Sequence, residues 1–448
     1  MRKGSALDIV ISANVYPSTI ALLSTHAQQI KHLKFPHTHW SDILSFSKTI
    51  TEPLPLLRTL KIHTTWNRRN QPYVSTTPLL PLFGGFVNLE EFDWCSDAPL
   101  GLDTKLTGSL GRFIFPNLTT FKLTVSPIEG LNASDLLNFL KTSPLLRKVE
   151  VDIFGSIMPG RIPQNTIIIL PNLETFSMCG RGGVYESATH ISCPRAKRIS
   201  LTNNTFDTNM TYGREIFPAP ASWMTILHQY PTSPVEEVTL KVEDAGRFIS
   251  HHTVTTYSLT FQSSDETFIC LSSGLHDGHL EEERLDLTRG EMRREILSQA
   301  CRAIRSHPLL SHVKRLHITN TSETLGFDDL LATVDVVGEL FTSLGPLDEL
   351  TIRGRGLDVI LAPFVNLPGL RCPKQEFPHV KKLRILEPLM LNKRHCMDGL
   401  EEPAKLQHGL GKPFELVTFF ARFIPETEVE GLRPWVSAVE CYQVGTMW

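Results

Sequence analysis

Histidine, cysteine and glycine-rich segments are the places where this sequence could do chemistry. Three histidines, His32, His37 and His39, cluster within eight positions of one another. A zinc ion needs three or four ligands in tetrahedral reach, and neither cysteine nor an acidic residue lies at ligand spacing nearby. This pattern favours a surface loop without metal. His395 and Cys396 join a base to a nucleophile, but adjacent side chains on a strand or loop point apart, which argues against catalysis.

Two glycine-rich segments are the remaining candidates for ligand chemistry. Gly180–Gly183 (GRGG) and Gly354–Gly356 (GRG) each follow a predicted strand. A turn explains both better than a phosphate or RNA contact, since neither is followed by a clear helix start. No GxSxG, HExxH, Walker A or GxGxxG motif is present. The sequence therefore predicts no catalytic residue, no cofactor and no metal.

One short pattern recurs along the chain and must position any functional side chains. In Pro55–Ile62 (PLLRTLKI) an apolar residue is followed by two mostly polar residues, and then by apolar, polar and apolar positions. Copies begin at Ile30, Leu57, Leu89, Leu118, Leu146, Leu173, Ala196, Val235, Val313, Leu347 and Val380, with a weaker one at Val436. From Ile30 to Ala196 the spacing is 23 to 32 residues, which fits leucine-rich repeats of about 20–29 residues.

Amphipathic segments between the copies predict helices, several of them starting at a capping serine. They cover residues 18–27, 41–50, 134–141, 222–230, 291–306 and 328–344. Where a proline then precedes the strand, it ends the helix and sets the turn. Helix, proline and strand at this period predict parallel strands joined by crossover connections.

Two regions do not follow the spacing of the repeat. Residues 254–261 and 266–271 alternate around a polar segment, which favours a β-hairpin over a compressed repeat. With the charged loop that follows, this predicts an insertion at about 245–290. Near the C-terminus we expect a loop at 401–413 and an apolar helix at 414–423. The predicted division is a repeat domain at 1–390 and a C-terminal cap at 391–448.

The repeat also defines a candidate binding face. If the apolar residues of each strand face the core, the residues between them face the concave side of the sheet. These positions are His32, Lys34, Lys61, Glu91, Asp93, Lys122, Lys148, Glu150, Arg198, Glu237, Arg315, His317, Glu349, Lys382 and Arg384. Both charge signs occur, which argues against a nucleic-acid track. Solvated strand edges and a charge-patterned face that recognises a protein both explain the set.

Bulk composition limits the classes of protein that remain. The chain has 448 residues, more than one compact core usually holds, and 41% are hydrophobic. A net charge of −3 gives no overall field for nucleic acid or membrane. The eight cysteines lack CxxC spacing, which favours reduced and mostly buried thiols. With no signal peptide or membrane span recognised, we expect a cytoplasmic or nuclear monomer.

The repeat style resembles a known family. The LxxLxL units and the lead-ins Phe115–Leu118 (FPNL) and Leu170–Leu173 (LPNL) resemble basidiomycete, that is fungal, F-box/leucine-rich-repeat-like proteins. The asparagine expected eight residues after the first apolar position occurs only at Asn204, and no F-box precedes the repeats. The resemblance implies a substrate receptor of an SCF-type ubiquitin ligase, which would reach its cullin-RING adaptor through an F-box outside this chain.

The sequence as a whole predicts an α/β fold. We expect an irregular leucine-rich-repeat solenoid with a curved parallel sheet and outer helices. Its expected function is protein–protein recognition without catalysis, by the face defined above. A stand-alone interaction protein without a ligase link is the alternative within this class. An enzyme with a site built from loops is the alternative from another class.

Overall fold

A computed structural model describes most of the predicted strands and some of the helices. The described residues are 6–12, 17–39, 42–43, 45–46, 54–65, 86–100, 114–127, 131–158, 166–181, 183–205, 234–248, 252–264, 267–276, 312–321, 341, 344–355, 379–389, 395–421 and 426–443. The chain divides into two compact units. The first ends at Asn204, and the second holds Thr205 and the described residues after it. The sequence-based division was placed at residue 390 instead.

The first unit is built on a parallel sheet with helices between some of its strands. Its strands are β1 (Leu7–Val10), β2 (Ile30–His39), β3 (Thr59–Thr65), β4 (Glu91–Leu100), β5 (Thr120–Pro127), β6 (Leu131–Asn132), β7 (Lys148–Met158), β8 (Ile168–Ile169), β9 (Thr175–Arg181), β10 (Ile191–Ser192) and β11 (Arg198–Thr205). Its helices are α1 (Pro17–Thr25), α2 (Ala133–Lys141) and α3 (Val184–Ala188). Parallel pairing joins β1, β2, β3, β4, β5, β7, β9 and β11 in that order.

The second unit combines antiparallel and parallel strands. Its elements are β12 (Val235–Phe248), β13 (His252–Ser263), β14 (Phe268–His276), β15 (Arg315–Asn320), β16 (Leu347–Arg355), β17 (Val380–Leu389), α4 (His395–Gly409), β18 (Leu416–Ala421), α5 (Glu426–Leu432) and β19 (Val439–Gln443). Strands β12, β13 and β14 pair antiparallel. Strands β12, β15, β16, β17, β18 and β19 pair parallel in that order. The α/β class and a mostly parallel sheet are therefore confirmed.

A hydrogen-bonded turn precedes the strands that carry the repeat in the first unit. Before β5, the N–H of Leu118 donates to the carbonyl of Phe115 at 3.1 Å, and the same bond recurs before β3, β4, β7, β9 and β11. The carbonyl of Glu90 on the neighbouring strand then accepts from both Thr119 and Thr120, at 2.8 and 3.0 Å. Proline at the second turn position suits the φ of such a turn. This explains the four-residue lead-ins LPLL, FPNL and LPNL.

Asparagine side chains tie successive turns together. Asn117 donates from Nδ2 to the carbonyl of Val87 at 3.0 Å, and Asn88 donates to Pro55 at 2.7 Å in the same way. Asn172 donates to the carbonyl of Pro144 at 3.3 Å. Each asparagine stands one residue before the first apolar position of its repeat. The asparagine sought eight residues after that position occurs only at Asn204, whereas asparagines at a different position link neighbouring turns.

The core lies under alternate positions of every strand. In the first unit one buried row crosses the sheet through Leu33, Leu60, Phe92, Phe121, Val149, Phe176 and Ile199. The ring of Phe121 lies 5.9 Å from that of Phe92 and 4.5 Å from that of Phe139 in α2. In the second unit Val238, Leu316, Leu350 and Leu383 are buried in register. The predicted inward-facing residues are therefore confirmed as buried.

The mid-chain segment forms the predicted hairpin and involves a further strand. Strands β13 and β14 pair antiparallel, with Leu259 opposite Leu271, so the compressed-repeat interpretation is wrong. Strand β12 also pairs antiparallel with β13, with Val238 opposite Phe261. It extends well beyond the predicted VEEVTL segment. Its residues pair with β13 on one side and β15 on the other, which the repeat pattern alone did not indicate.

The C-terminal prediction is wrong in both of its elements. The expected loop at 401–413 is mostly helix α4, in which Leu400, Ala404 and Gln407 are buried at helical spacing. The expected helix at 414–423 contains strand β18, whose Val417 and Phe419 are buried next to β17. Parallel hydrogen bonding to β17 on one side and to β19 on the other makes this segment a strand. The weak copy at Val436 is confirmed, since it leads into β19.

Helix predictions are confirmed only in part. Helix α1 matches 18–27 within two residues. Helix α2 matches 134–141, but its cap is Asn132, whose side chain accepts from the Ser134 N–H at 2.9 Å, rather than a serine. Of segment 41–50 the structure describes only helical residues 42–43 and 45–46. Segments 222–230 and 291–306, the charged loop after residue 276, and nearly all of 328–344 lie outside the described residues.

Gly354 tests how tightly β15 and β16 are held. It adopts a φ of +90°, and a Cβ at this position would lie 1.9 Å from the carbonyl oxygen of Asn320. We expect Gly354→Ala to lower the free energy of unfolding by about 2 kcal/mol or more, because both strain and overlap oppose it. Urea denaturation monitored by circular dichroism measures the change.

Gly345 provides the matched control for that substitution. A Cβ there meets no atom within 4 Å. Gly345→Ala should change the free energy of unfolding by less than about 0.5 kcal/mol. Equal stability of the two variants would contradict the strand pairing described for Gly354.

Candidate partner-binding face

Strand alternation places the predicted site residues of the first unit on its solvent side. We call this surface the unit 1 face, and two rows of side chains in register make up most of it. The first row contains His32, Thr59, Glu91, Thr120, Lys148, Thr175 and Arg198, and the second contains Lys34, Lys61, Asp93, Lys122, Glu150, Ser177 and Ser200. The structure therefore brings together every predicted site residue of this unit.

The second unit carries its own set, which we call the unit 2 face. Its first row runs through Glu237, Arg315, Glu349 and Lys382, and its second through Thr239, His317, Thr351, Arg384, Thr418 and Glu440. All predicted site residues of the second unit lie in these rows. The candidates thus occupy two faces, each described within its own unit.

Charged side chains on the unit 1 face pair across neighbouring strands. Lys61 Nζ lies 2.6 Å from Glu91 Oε1. Glu150 binds two lysines, with Lys122 Nζ at 2.8 Å and Lys148 Nζ at 2.7 Å. Burial raises the pKa of Glu150, but the hydrogen bonds from both lysines outweigh it and leave the pKa below its ordinary value. These contacts fix a pattern of opposite charges on the surface.

The unit 2 face is paired in the same manner. Glu237 accepts from Arg315 Nε at 2.9 Å and lies 3.5 Å from His317 Nε2. Glu349 lies 3.4 Å from Arg384 Nη1 and accepts from the Thr351 hydroxyl at 3.1 Å. Glu237 and Glu349 therefore each contact two side chains. The register of the strands determines which side chains of the neighbouring strand these carboxylates reach.

In the second unit the residue that precedes each first-row position alternates in sign between neighbouring strands, in the order Glu236, Lys314, Asp348 and Lys381. Lys381 Nζ lies 2.7 Å from Asp348 Oδ1, and Lys314 Nζ lies 3.6 Å from Glu236 Oε1. The hydrogen bond from Lys381 lowers the pKa of Asp348. Like-charged pairs in the sequence, such as Lys381–Lys382, thus face oppositely charged pairs on the next strand. This favours the interpretation of these outer positions as strand-edge charges that satisfy one another.

Three predicted cations differ from the others. Lys34, Arg198 and Lys382 are exposed and form no ion pair with any residue that the structure describes. Lys34 belongs to a groove of about 350 Å³ that Asp8, His32 and Lys61 also line. Lys382 belongs to a groove of about 420 Å³ on the second unit. These cations are available to a partner without breaking an ion pair among the described residues.

Sequence reasoning missed a third row at the far ends of the strands. On the first unit it contains His63, Cys95, Thr124, Asp152, Cys179 and Thr202. The repeat pattern ends at its last apolar residue, whereas the strands continue by at least two more positions. Burial raises the pKa of Asp152, and a hydrogen bond from the Cys179 thiol opposes this effect only in part.

The histidine and cysteine candidates from the sequence lie in regular secondary structure. His32, His37 and His39 lie within β2 instead of the predicted surface loop, because the strand extends to His39. His395 and Cys396 begin helix α4, neither strand nor loop. Within the described residues no group of three histidine, cysteine or acidic side chains is arranged to hold a metal ion.

The two glycine-rich segments differ in structure: Gly183 stands between β9 and helix α3, whereas Gly354 lies within a strand, so the turn expected after the strand is wrong at Gly354. Gly183 adopts a φ of +67°, and a Cβ there would lie 2.1 Å from the Ile157 carbonyl. It is followed directly by helix α3, so the expectation that no helix start follows is wrong. Helix α3 has only five residues. Gly354 lies inside β16, where the Asn320 carbonyl leaves no room for a side chain.

The cysteines whose side chains the structure describes form no disulfide with one another, yet few of them are buried. Cys193 is buried, and its burial raises the pKa of the thiol far above its ordinary value. Cys95, Cys179 and Cys270 are half-buried and Cys441 is exposed, so the expectation of mostly buried thiols is wrong for this part of the chain. Three of these cysteines stand at solvent-side positions of strands rather than in the core.

No protein-family model matches the sequence. None of the helices among the described residues combines the length and apolar composition needed to cross a bilayer.

Asp152 predicts an unusual dependence of stability on pH. Since its pKa is higher in the folded than in the unfolded state, this group costs stability as the pH rises from the unfolded pKa through the folded one. Asp152→Asn should therefore raise the free energy of unfolding at neutral pH. The gain should shrink as the pH falls below the ordinary carboxyl pKa. Urea denaturation at several pH values measures this dependence.

Asp348 is the control of opposite sign. Its pKa is lowered by the hydrogen bond from Lys381, so it adds stability that is lost as the pH falls through its folded pKa. Asp348→Asn should lose stability at neutral pH and converge with the parent protein in acid. Identical pH profiles for the two variants would contradict the burial of Asp152.

Proposed function

We propose that the chain is an irregular leucine-rich-repeat solenoid, with its sheet strands on a concave side and its helices outside. Neighbouring parallel strands, preceded in the first unit by the same hydrogen-bonded turn, support this architecture. The turn-linking asparagines Asn88, Asn117 and Asn172 support it further, because side chains that bond one turn to the next are typical of stacked repeats. The proposed activity is protein–protein recognition without catalysis.

One observation carries the functional proposal. Cross-strand ion pairs hold charged side chains of both signs at defined positions on two solvent-exposed faces. Exposed ion pairs add only about 0–1 kcal/mol each to stability. A pattern of charges discriminates strongly between partners, because like charges brought together on binding are costly. The faces are thus better suited to selecting a partner than to holding the fold.

The resemblance to basidiomycete F-box/leucine-rich-repeat-like proteins extends the proposal to a substrate receptor of an SCF-type ubiquitin ligase. The proposed compartment is the cytoplasm or nucleus, where thiols such as Cys95 and Cys179 stay reduced. Pull-down of the full chain with the cullin adaptor subunit tests the ligase link. Retention of the adaptor would support the link, and failure to retain it would refute the link for this chain and leave a stand-alone interaction protein.

Exchanging the charges of Lys61 and Glu91 separates recognition from folding. Either reversal alone should lower the free energy of unfolding by about 0.5–1 kcal/mol, because like charges then face each other. The double variant Lys61→Glu/Glu91→Lys restores an ion pair and should regain most of that loss. Its stability is measured by urea denaturation, and the coupling follows from the double-mutant cycle.

Partner binding should respond differently from stability. Affinity purification with quantitative mass spectrometry, comparing the parent chain with the double variant, should show proteins that the variant no longer retains. The matched control exchanges Glu430 and Arg433, an exposed pair at 3.3 Å away from both faces. Should both exchanges retain the same proteins in the same amounts, the unit 1 face is not a recognition surface.

A further inference from the structure

The far ends of the last strands of the second unit carry apolar and aromatic side chains on the solvent side. Leu386, Phe420 and Tyr442 stand in register on β17, β18 and β19 and share the exposed side with Arg384. We call these four residues the aromatic end of the unit 2 face. The corresponding row of the first unit contains small, polar or ionisable residues in its place. An aromatic pair here therefore departs from the pattern of the rest of the faces.

The two rings form a flat apolar surface that is open to solvent. Phe420 and Tyr442 stack with their centroids 4.8 Å apart and their planes at 12°. Tyr442 remains 48% exposed, and Phe420 and Leu386 are half-buried. Aromatic side chains dominate the binding energy of protein interfaces, because they bury large apolar areas with few rotatable bonds. Pre-stacked rings lose little further freedom on binding.

A hydrogen bond fixes the orientation of the outer ring. The Tyr442 hydroxyl donates to Glu440 Oε2 at 3.1 Å, and this bond raises the pKa of Tyr442. The carboxylate of Glu440 is therefore engaged within the strand. The hydroxyl keeps its acceptor capacity for a partner.

Two cations, Lys382 and Arg384, lie on β17 beside the stacked rings. Lys382 precedes Arg384 and Leu386 at intervals of two residues along β17, and it forms no ion pair with another described residue. Two residues along a strand span about 6.7 Å, and the neighbouring strand lies about 4.8 Å away. A carboxylate on a bound segment thus reaches Lys382 or Arg384 when it lies within about four residues of a side chain resting on the rings.

We infer that the aromatic end binds a segment of a partner protein that presents an aromatic or large aliphatic side chain next to carboxylates. This inference rests on the proposed recognition function and specifies the chemistry of one partner. The apolar side chain covers the stacked rings of Phe420 and Tyr442. The carboxylates pair with Lys382 and with the N–H groups of Arg384 that Glu349 leaves open.

Selection from a displayed library of random twelve-residue peptides tests the inference on the full chain. Enriched peptides should carry Phe, Tyr, Trp or Leu with Asp or Glu within four positions. A fluorescent synthetic copy of an enriched peptide then reports affinity by anisotropy. Tyr442→Ala and Phe420→Ala should each weaken binding about tenfold or more, and Lys382→Glu should weaken it in a salt-dependent manner.

Two further variants keep the test decisive. Tyr442→Phe preserves the stacked ring and should bind the peptide within about threefold of the parent chain. This variant keeps the test valid if Tyr442→Ala fails to fold. Leu22→Ala, at a leucine that is 61% exposed in α1, should leave binding unchanged. Thermal melting confirms that each variant is folded.

Several results would overturn the inference. These are an absence of enriched peptides, enrichment of basic peptides, or binding that Tyr442→Ala leaves intact. Self-association that Tyr442→Ala abolishes would show that a second copy of the chain covers the rings instead. Peptides that lose affinity for the Lys61/Glu91 exchange but not for Tyr442→Ala would refute the aromatic end and leave the proposed recognition function standing.

Discussion

A shared carbonyl at the start of each repeat is the interaction on which the first unit depends. Each turn closes with its own backbone bond, and the next two N–H groups both donate to one carbonyl of the preceding strand, as Thr119 and Thr120 do to Glu90. This arrangement leaves one register for the strand that follows. With the register set, Phe92 packs against Phe121 in the core. On the solvent side Lys61 stands opposite Asp93 and pairs with Glu91.

The same register turns scattered charges into an organised surface. Glu150 reaches Lys122 on the neighbouring strand and Lys148 two positions before it on β7. On the second unit, Glu237 serves Arg315 and His317 together. A slip by one residue would exchange the core and solvent sides of the whole strand. The buried rows and the charged rows therefore depend on the same strand register. A substitution that shifts the register disturbs both.

Backbone geometry limits variation at a few points. Gly183 and Gly354 both adopt positive φ and both lie against a carbonyl oxygen of a neighbouring segment. Close to the third row of solvent-side residues, Gly183 links β9 to α3, and Gly354 stands where the pairing of β16 with β17 shifts register. The third row is also where the two units differ most, with Asp152 and Cys179 on one and the stacked rings of Phe420 and Tyr442 on the other. The repeats thus differ at the far ends of their strands, whereas the turns that precede the strands of the first unit share one hydrogen bond.

Local pattern in the sequence sufficed for the strands that carry the repeat, for their buried rows and for the first two rows of solvent-side residues. Burial at alternate positions is a property of each strand alone, so Leu60 and Lys61 were assigned to their sides without knowledge of the neighbours. The tertiary structure alone decided the partners: which carboxylate meets Lys122, and that β12 pairs with β13. It also decided the β18 strand, because the segment 414–423 suits a helix in isolation and gains its strand hydrogen bonds only between β17 and β19. The sequence by itself determined what each residue faces, and only the packed register determined what it touches.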